Sequence, residues 1–120
     1  MSSSSYEELK VWQRAMDLAE TIYRCTKAFP KDEQFGLTAQ MRRAAISIPS
    51  NIAEGKGRSD RDFARFLLQA RGSGWELETQ LELARRLAYL SSAQCSQLHN
   101  ELAEIGRMLS TFVSTLKASA

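Results

Sequence analysis

The chain carries one histidine, His99, and two cysteines, Cys25 and Cys95, seventy positions apart. A carboxylate-bridged metal pair in a helical bundle needs a Glu-x-x-His motif on each of two helices. Ser96 stands three residues before His99, so that pattern is absent. His99 lies off the apolar line of its segment and reads as a solvated side chain. Gly72-Ser73-Gly74 superficially has the form of a nucleophile turn, but it sits in mid-helix without the strand such a turn requires. Gly55-Lys56-Gly57 is too short for a phosphate-binding loop and follows no strand. These absences predict a non-enzyme with no catalytic residue, no metal ligand, no cofactor and no small-molecule substrate. Without a C-x-x-C pair, Cys25 and Cys95 read as small core residues in a reducing, cytoplasmic setting.

The basic residues carry a stronger signal. Between positions 42 and 71 stand seven basic residues and three acidic ones, whereas the whole chain has a formal charge of only +2. Lys56, Arg58, Arg61 and Arg65 cluster around one turn and, with Arg42, are the candidates for contacting nucleic-acid phosphates. Each such contact would add to the salt dependence of binding. Asp60 and Asp62 share the stretch, and a solvated, partly neutralised face accounts for it equally well.

Two further stretches break helical rules. Pro49 falls inside an apolar helical run and leaves the Ala45 carbonyl without its usual donor, a defect of about 3 kcal/mol. Ser47, Ser50 and Asn51 surround it with short polar side chains suited to local repair. Gly72 and Gly74 each cost about 1 kcal/mol in a helix interior, which a close helix approach would offset. An antiparallel hairpin turning near residues 57–58 sets Gly72 opposite Arg43, and Leu67 or Leu68 opposite Ile48. It predicts an Arg43–Glu76 ion pair and leaves Arg42 in solvent.

The elements that position these residues are all helices. In the first, Leu9, Trp12, Met16, Ala19 and Tyr23 form one apolar stripe, and Val11, Ala15, Leu18, Ile22, Cys25 and Phe29 form another beside it. Two stripes give a face wider than a two-stranded coiled coil needs, suited to a bundle or a subunit contact, and Val11, Trp12, Leu18 and Ile22 are the candidates for the contact. Ser5 with Glu8, and Ser91 with Gln94, have capping-box spacing. Pro30 ends the first helix near Phe29, Asp32 is the expected cap of the second, and Ser59 opens the third. Leu37, Met41, Ala44, Ile48 and Ile52 line the second helix, kinked at Pro49. Phe63, Phe66, Leu67, Ala70, Leu77, Leu81, Ala84 and Ala88 line a third that reaches about 45 Å if it runs to Leu90. Leu98, Leu102, Ile105, Leu109, Phe112 and Leu116 line the fourth. No segment alternates with period two. The expectation is an all-α, antiparallel up-down-up-down four-helix bundle.

At 120 residues, 43% hydrophobic and 25% charged, the chain fits one domain that buries a core without disulfides or metals. Residues 6–117 are expected to form it, with flexible ends at 1–5 and 118–120. The longest apolar run, Leu87–Leu90, is far short of a membrane span, and the start shows no secretory signal.

Several motifs also carry a family resemblance. They are Arg43-Ala44-Ala45-x-Ser47-Ile48-Pro49-x-Asn51-Ile52-Ala53-Glu54-Gly55, then Phe63-x-x-Phe66-Leu67, then Ala70-Arg71-Gly72-Ser73 with Glu76-Leu77-Glu78-Thr79-Gln80-Leu81. With Leu9-x-Val11-Trp12-x-x-Ala15-Met16, they make the chain resemble bacterial four-helix-bundle 23S rRNA intervening-sequence proteins from about Leu9 to Leu116. The resemblance implies a small cytosolic bundle assembling as a pentameric ring, without an established biochemical role. It is similar also to the accessory variability proteins of diversity-generating retroelements, which bind nucleic acid and a reverse transcriptase through a basic surface. Two readings therefore stand: a non-enzymatic homo-oligomeric scaffold, and an RNA- or DNA-binding accessory protein. The near-neutral charge sets this chain apart from the retroelement proteins.

Overall fold

A computed structural model describes Tyr6 and residues 9–119 of the chain. Among the described residues four α-helices make up the fold: α1 (Lys10–Thr26), α2 (Leu37–Gly55), α3 (Asp60–Arg86) and α4 (Ser92–Ser119). A short 3-10 turn, Lys31–Glu33, precedes α2. No strand occurs among the described residues. The result is a four-helix bundle with Cα extents of 46 × 20 × 19 Å.

The core follows the helical period. Leu18, Ile22, Met41, Ile48, Ile52, Leu67, Leu77, Leu81, Ile105 and Leu109 are the largest fully buried side chains, drawn from all four helices. Burying each contributes about 1.5–3 kcal/mol relative to exposure, which is how the helices hold one another. The two stripes of α1 separate: Val11, Ala15, Leu18 and Ile22 enter the core, while Met16 and Tyr23 remain exposed.

The helix ends obey local chemistry with some departures from expectation. Ser91 and Gln94 form the reciprocal capping box, the Gln94 N–H donating to Ser91 Oγ (3.1 Å) and the Ser91 N–H to Gln94 Oε1 (3.0 Å). Ser59 Oγ accepts from the Asp62 N–H at 3.2 Å and caps α3. Ser5 and Glu8 lie outside the described residues. Asp32 does not cap α2, because the 3-10 turn delays the helix until Leu37. Glu33 takes that role instead, its Oε1 accepting from the Leu37 N–H at 3.1 Å.

α3 stops at Arg86, short of Leu90. The Tyr89 N–H bonds the Ala84 carbonyl and the Ala88 N–H bonds that of Arg85, both at 2.9 Å. This Schellman closure places Ala88 at φ 63°, a left-handed position usually held by glycine. Ala88 is therefore exposed rather than part of the inward line.

Pro49 is buried within the continuous helix α2. Asn51 Nδ2 reaches back one turn to the Ser47 carbonyl (2.8 Å), not to the Ala45 carbonyl that Pro49 leaves without its amide donor. The true close approach of α2 and α3 is at Gly55. A Cβ there would lie 2.7 Å from Phe66 Cβ and 2.9 Å from Phe63 Cδ1. A Cβ on Gly72 would meet nothing within 4 Å, and one on Gly74 only ordinary contacts with Leu102 and Ile48. The expected tight packing at the two mid-helix glycines is thus absent.

Candidate functional site

Three surfaces have the chemistry to engage a partner. The first is an apolar groove of about 590 Å³ between α1 and α2, floored by Trp12, Met16, Tyr23, Ile46 and Pro49. Tyr6 packs edge-on to Trp12, with ring centroids 5.4 Å apart. Met16, Tyr23 and Ile46 are 40%, 37% and 42% exposed and lie together in this groove as one apolar patch. Glu20, Arg24 and Lys27 rim the groove with both charges. Of the four residues expected at a subunit contact, only Trp12 lines it. Val11, Leu18 and Ile22 are 3%, 0% and 0% exposed, buried in the chain's own core.

The second surface is the bundle end around residues 56–65. Arg58 stacks its guanidinium 4.9 Å from the Phe66 ring centroid, and Arg65 stacks 5.2 Å from the same ring. Lys56 Nζ lies 5.9 Å from the Phe63 ring. Arg58 Nε also donates to the Glu54 carbonyl at 2.9 Å. Arg65 has Asp62 at 3.6 Å, an exposed pair of small energetic weight. Arg61 shares a small apolar hollow with Leu116 and Lys117, so the C-terminal turn of α4 adds a cation to this end.

Arg42 is not part of that cluster. Its Nε donates to Thr26 Oγ1 (2.8 Å), its Nη2 to the Tyr23 carbonyl (3.3 Å), and its guanidinium sits 4.5 Å from the Tyr23 ring centroid. It closes the C-terminal end of α1, where carbonyls lack helical donors and a cation is favoured. The expected roles of the two arginines are exchanged: Arg42 is engaged, and Arg43 is exposed. No ion pair joins Arg43 to Glu76 among the described residues, because α2 and α3 meet in another register. Ser47 meets Ser73, their Oγ atoms 2.9 Å apart, and Ile48 faces Gly74.

The third surface lies between α3 and α4. A cleft of about 440 Å³ opens beside Gly74 and Gly106, with Arg71 and Trp75 on its wall. Arg71 Nη1 donates to Ser110 Oγ (3.1 Å), its guanidinium stacks 4.9 Å from the Trp75 ring, and its buried Nε has no hydrogen-bond partner. Trp75 is 59% exposed.

Further along the same pair of helices, Glu82, Cys95 and His99 bring a carboxylate, a thiol and an imidazole within 4.8 Å of one another. Arg85 and then Arg86 hydrogen-bond the Glu82 carboxylate and hold its pKa down to about 2. Burial pushes the Cys95 thiol up, with the nearby Glu82 charge acting in the same direction. A Glu-x-x-His pattern does not describe this cluster, although Cys95-x-x-x-His99 has the spacing that sets two side chains on one helical face. No helix among the described residues is long and apolar enough to cross a membrane.

Comparison with known proteins agrees with this architecture. The chain is similar to a solved structure from Bacteroides thetaiotaomicron, described as a protein of unknown function from the S23 ribosomal protein family. The two superpose with a TM-score of 0.80 at 27% identity, over 87% of this chain and 95% of that one. No curated protein matches the chain. The model of the 23S rRNA-intervening sequence protein family matches residues 7–111. This chain, folded as a four-helix bundle, therefore belongs to the 23S rRNA-intervening sequence protein family.

Proposed function

We propose that this chain is a non-enzymatic, cytoplasmic scaffold that works as a homo-oligomer, a ring of five by family resemblance. The observation that carries this reading is the α1–α2 groove, where Met16, Tyr23 and Ile46 stay exposed beside Trp12 and Pro49. Covering such a face with a second copy removes apolar surface from water, and its rim carries both signs of charge, Glu20 (3.7 Å from Arg24 on its own helix) and Lys27, for an identical chain to meet. Light scattering on the purified protein should return a multiple of the 13.5 kDa chain mass. Met16→Glu combined with Ile46→Glu should reduce it to one chain while leaving helical content intact, since both side chains are exposed. A wild-type monomer at micromolar concentration would overturn the reading.

A second reading rests on the paired stacking of Arg58 and Arg65 on Phe66, which presents two guanidinium groups beside Lys56 and Arg61. In it the same scaffold contacts RNA or DNA phosphates at this end, alongside a protein such as a reverse transcriptase. Fluorescence anisotropy at two salt concentrations tests it. Arg58→Glu with Arg61→Glu should weaken binding to every sequence and flatten the salt slope. Binding that survives this change places the contact elsewhere.

A further inference from the structure

Cys95 and His99 stand four residues apart on α4 and so share one helical face, which packs against Glu82 of α3. The Cys95 side chain is 3% exposed, with its thiol 3.7 Å from the Leu81 carbonyl. Glu82 and His99 are half-buried and both face a hollow of about 450 Å³ that opens to solvent. A ligand approaching through that hollow meets the carboxylate and the imidazole first and the thiol behind them. Such a set of sulfur, nitrogen and oxygen donors is wrong for magnesium or calcium, which take oxygen ligands. It suits zinc, which binds cysteine sulfur, histidine nitrogen and carboxylate oxygen and in its open sites takes three protein ligands and a water.

We propose that Glu82, Cys95 and His99 form a three-ligand site for a thiophilic divalent cation, zinc above all, that ties α3 to α4. Tetrahedral zinc with its usual bond lengths sets neighbouring ligand atoms roughly 3.3–3.6 Å apart. The three ligand atoms now lie within 4.8 Å of one another, so they close by about an ångström to reach that spacing. The Cys95 thiol releases its proton to solvent as Sγ bonds the ion, and water takes the fourth corner on the open side. Arg85 Nε and Nη2 hold the two Glu82 oxygens at 3.1 and 2.6 Å, and Arg86 Nε adds a third bond at 3.1 Å. Such outer partners fix the orientation of a ligating carboxylate. Thiolate and carboxylate together bring two negative charges, which balance those of the ion itself.

The test is titration of the full, reduced, chelator-treated chain with cobalt(II), followed by displacement with zinc. The expected result is one cobalt per chain, with a near-ultraviolet thiolate charge-transfer band that zinc abolishes. Cys95→Ser should remove the band, and Cys95→Ala serves as the second variant if serine is not tolerated at the buried position. Cys25→Ser should leave the band unchanged. His99→Ala and Glu82→Gln, at half-buried positions, should each weaken cobalt binding at least tenfold while circular dichroism shows intact helices. The proposal is overturned by no thiolate band at millimolar cobalt, by a band that follows Cys25, or by unchanged affinity in His99→Ala.

Discussion

The Ser73 hydroxyl donates to Ser47 Oγ at 2.9 Å, linking the proline-bearing segment of α2 to the glycine-bearing segment of α3. Asn51 Nδ2 donates to the same oxygen at 3.1 Å, so one serine collects bonds from both helices. Ser73→Ala should lower stability by about 1 kcal/mol, the typical net value of such a bond. Ser47→Ala should cost at least as much. Chemical denaturation of the two single variants and the double variant checks the coupling, and additive losses would show that the two hydroxyls act independently.

The glycines of the two segments should respond oppositely to alanine. Gly72→Ala places a methyl group where nothing lies within 4 Å and should stabilise the fold by about 1 kcal/mol through helix propensity alone. Gly55→Ala drives a Cβ to 2.7 Å from Phe66 Cβ and should destabilise it, by about 1–3 kcal/mol for an overpacked contact. Thermal unfolding of both variants separates the cases, and equal behaviour would contradict this packing.

Ala88→Gly should also stabilise. Ala88 holds φ 63° at the end of α3, and a non-glycine residue in that conformation costs about 1 kcal/mol. The reference for the measurement is Leu87→Gly, an exposed neighbour with negative φ, which should not gain stability.

The acid limb of stability should depend on Arg14. Its guanidinium hydrogen-bonds Glu104 across α1 and α4 and holds that carboxyl below the usual carboxylate range. A carboxylate depressed in the folded state stabilises it above the unfolded pKa, about 4.3, and loses that contribution as pH falls through the lower folded value. Urea midpoints of Arg14→Gln should therefore fall less steeply than wild type below about pH 4.3. Added salt should narrow the difference, since both side chains are partly exposed.

Much of the fold was legible in the apolar spacing. Leu98, Leu102, Ile105 and Leu109 on α4 lie buried as their three-four repeat requires, and Ser91 with Gln94 caps that helix by chemistry local to four residues. Interhelical register was less legible. Counting outward from the 57–58 turn pairs Ile48 with Leu67 or Leu68, whereas Ile48 faces Gly74. Side chains lean toward the N-terminus of their own helix, which shifts an antiparallel contact in this direction. With the register displaced, the Arg43–Glu76 pairing fails. The α1 stripes misled for another reason. Both have helical period, but only burial tells that Leu18 faces its own core and Met16 does not. Glu82 joins Cys95 and His99 from a different helix, a proximity that no single segment encodes.

The elongation of the bundle has a practical corollary for the hydrodynamics of the protein. A body 46 Å long and 20 × 19 Å across is more than twice as long as it is wide, so it experiences more friction than a sphere of equal mass. On a gel-filtration column calibrated with globular standards, a single chain would elute early and mimic a larger particle. A side-by-side assembly of the same rods would be more nearly isometric and elute closer to its true mass. Elution volume therefore compresses the difference between one chain and several, and the Met16→Glu, Ile46→Glu comparison must be read in absolute mass.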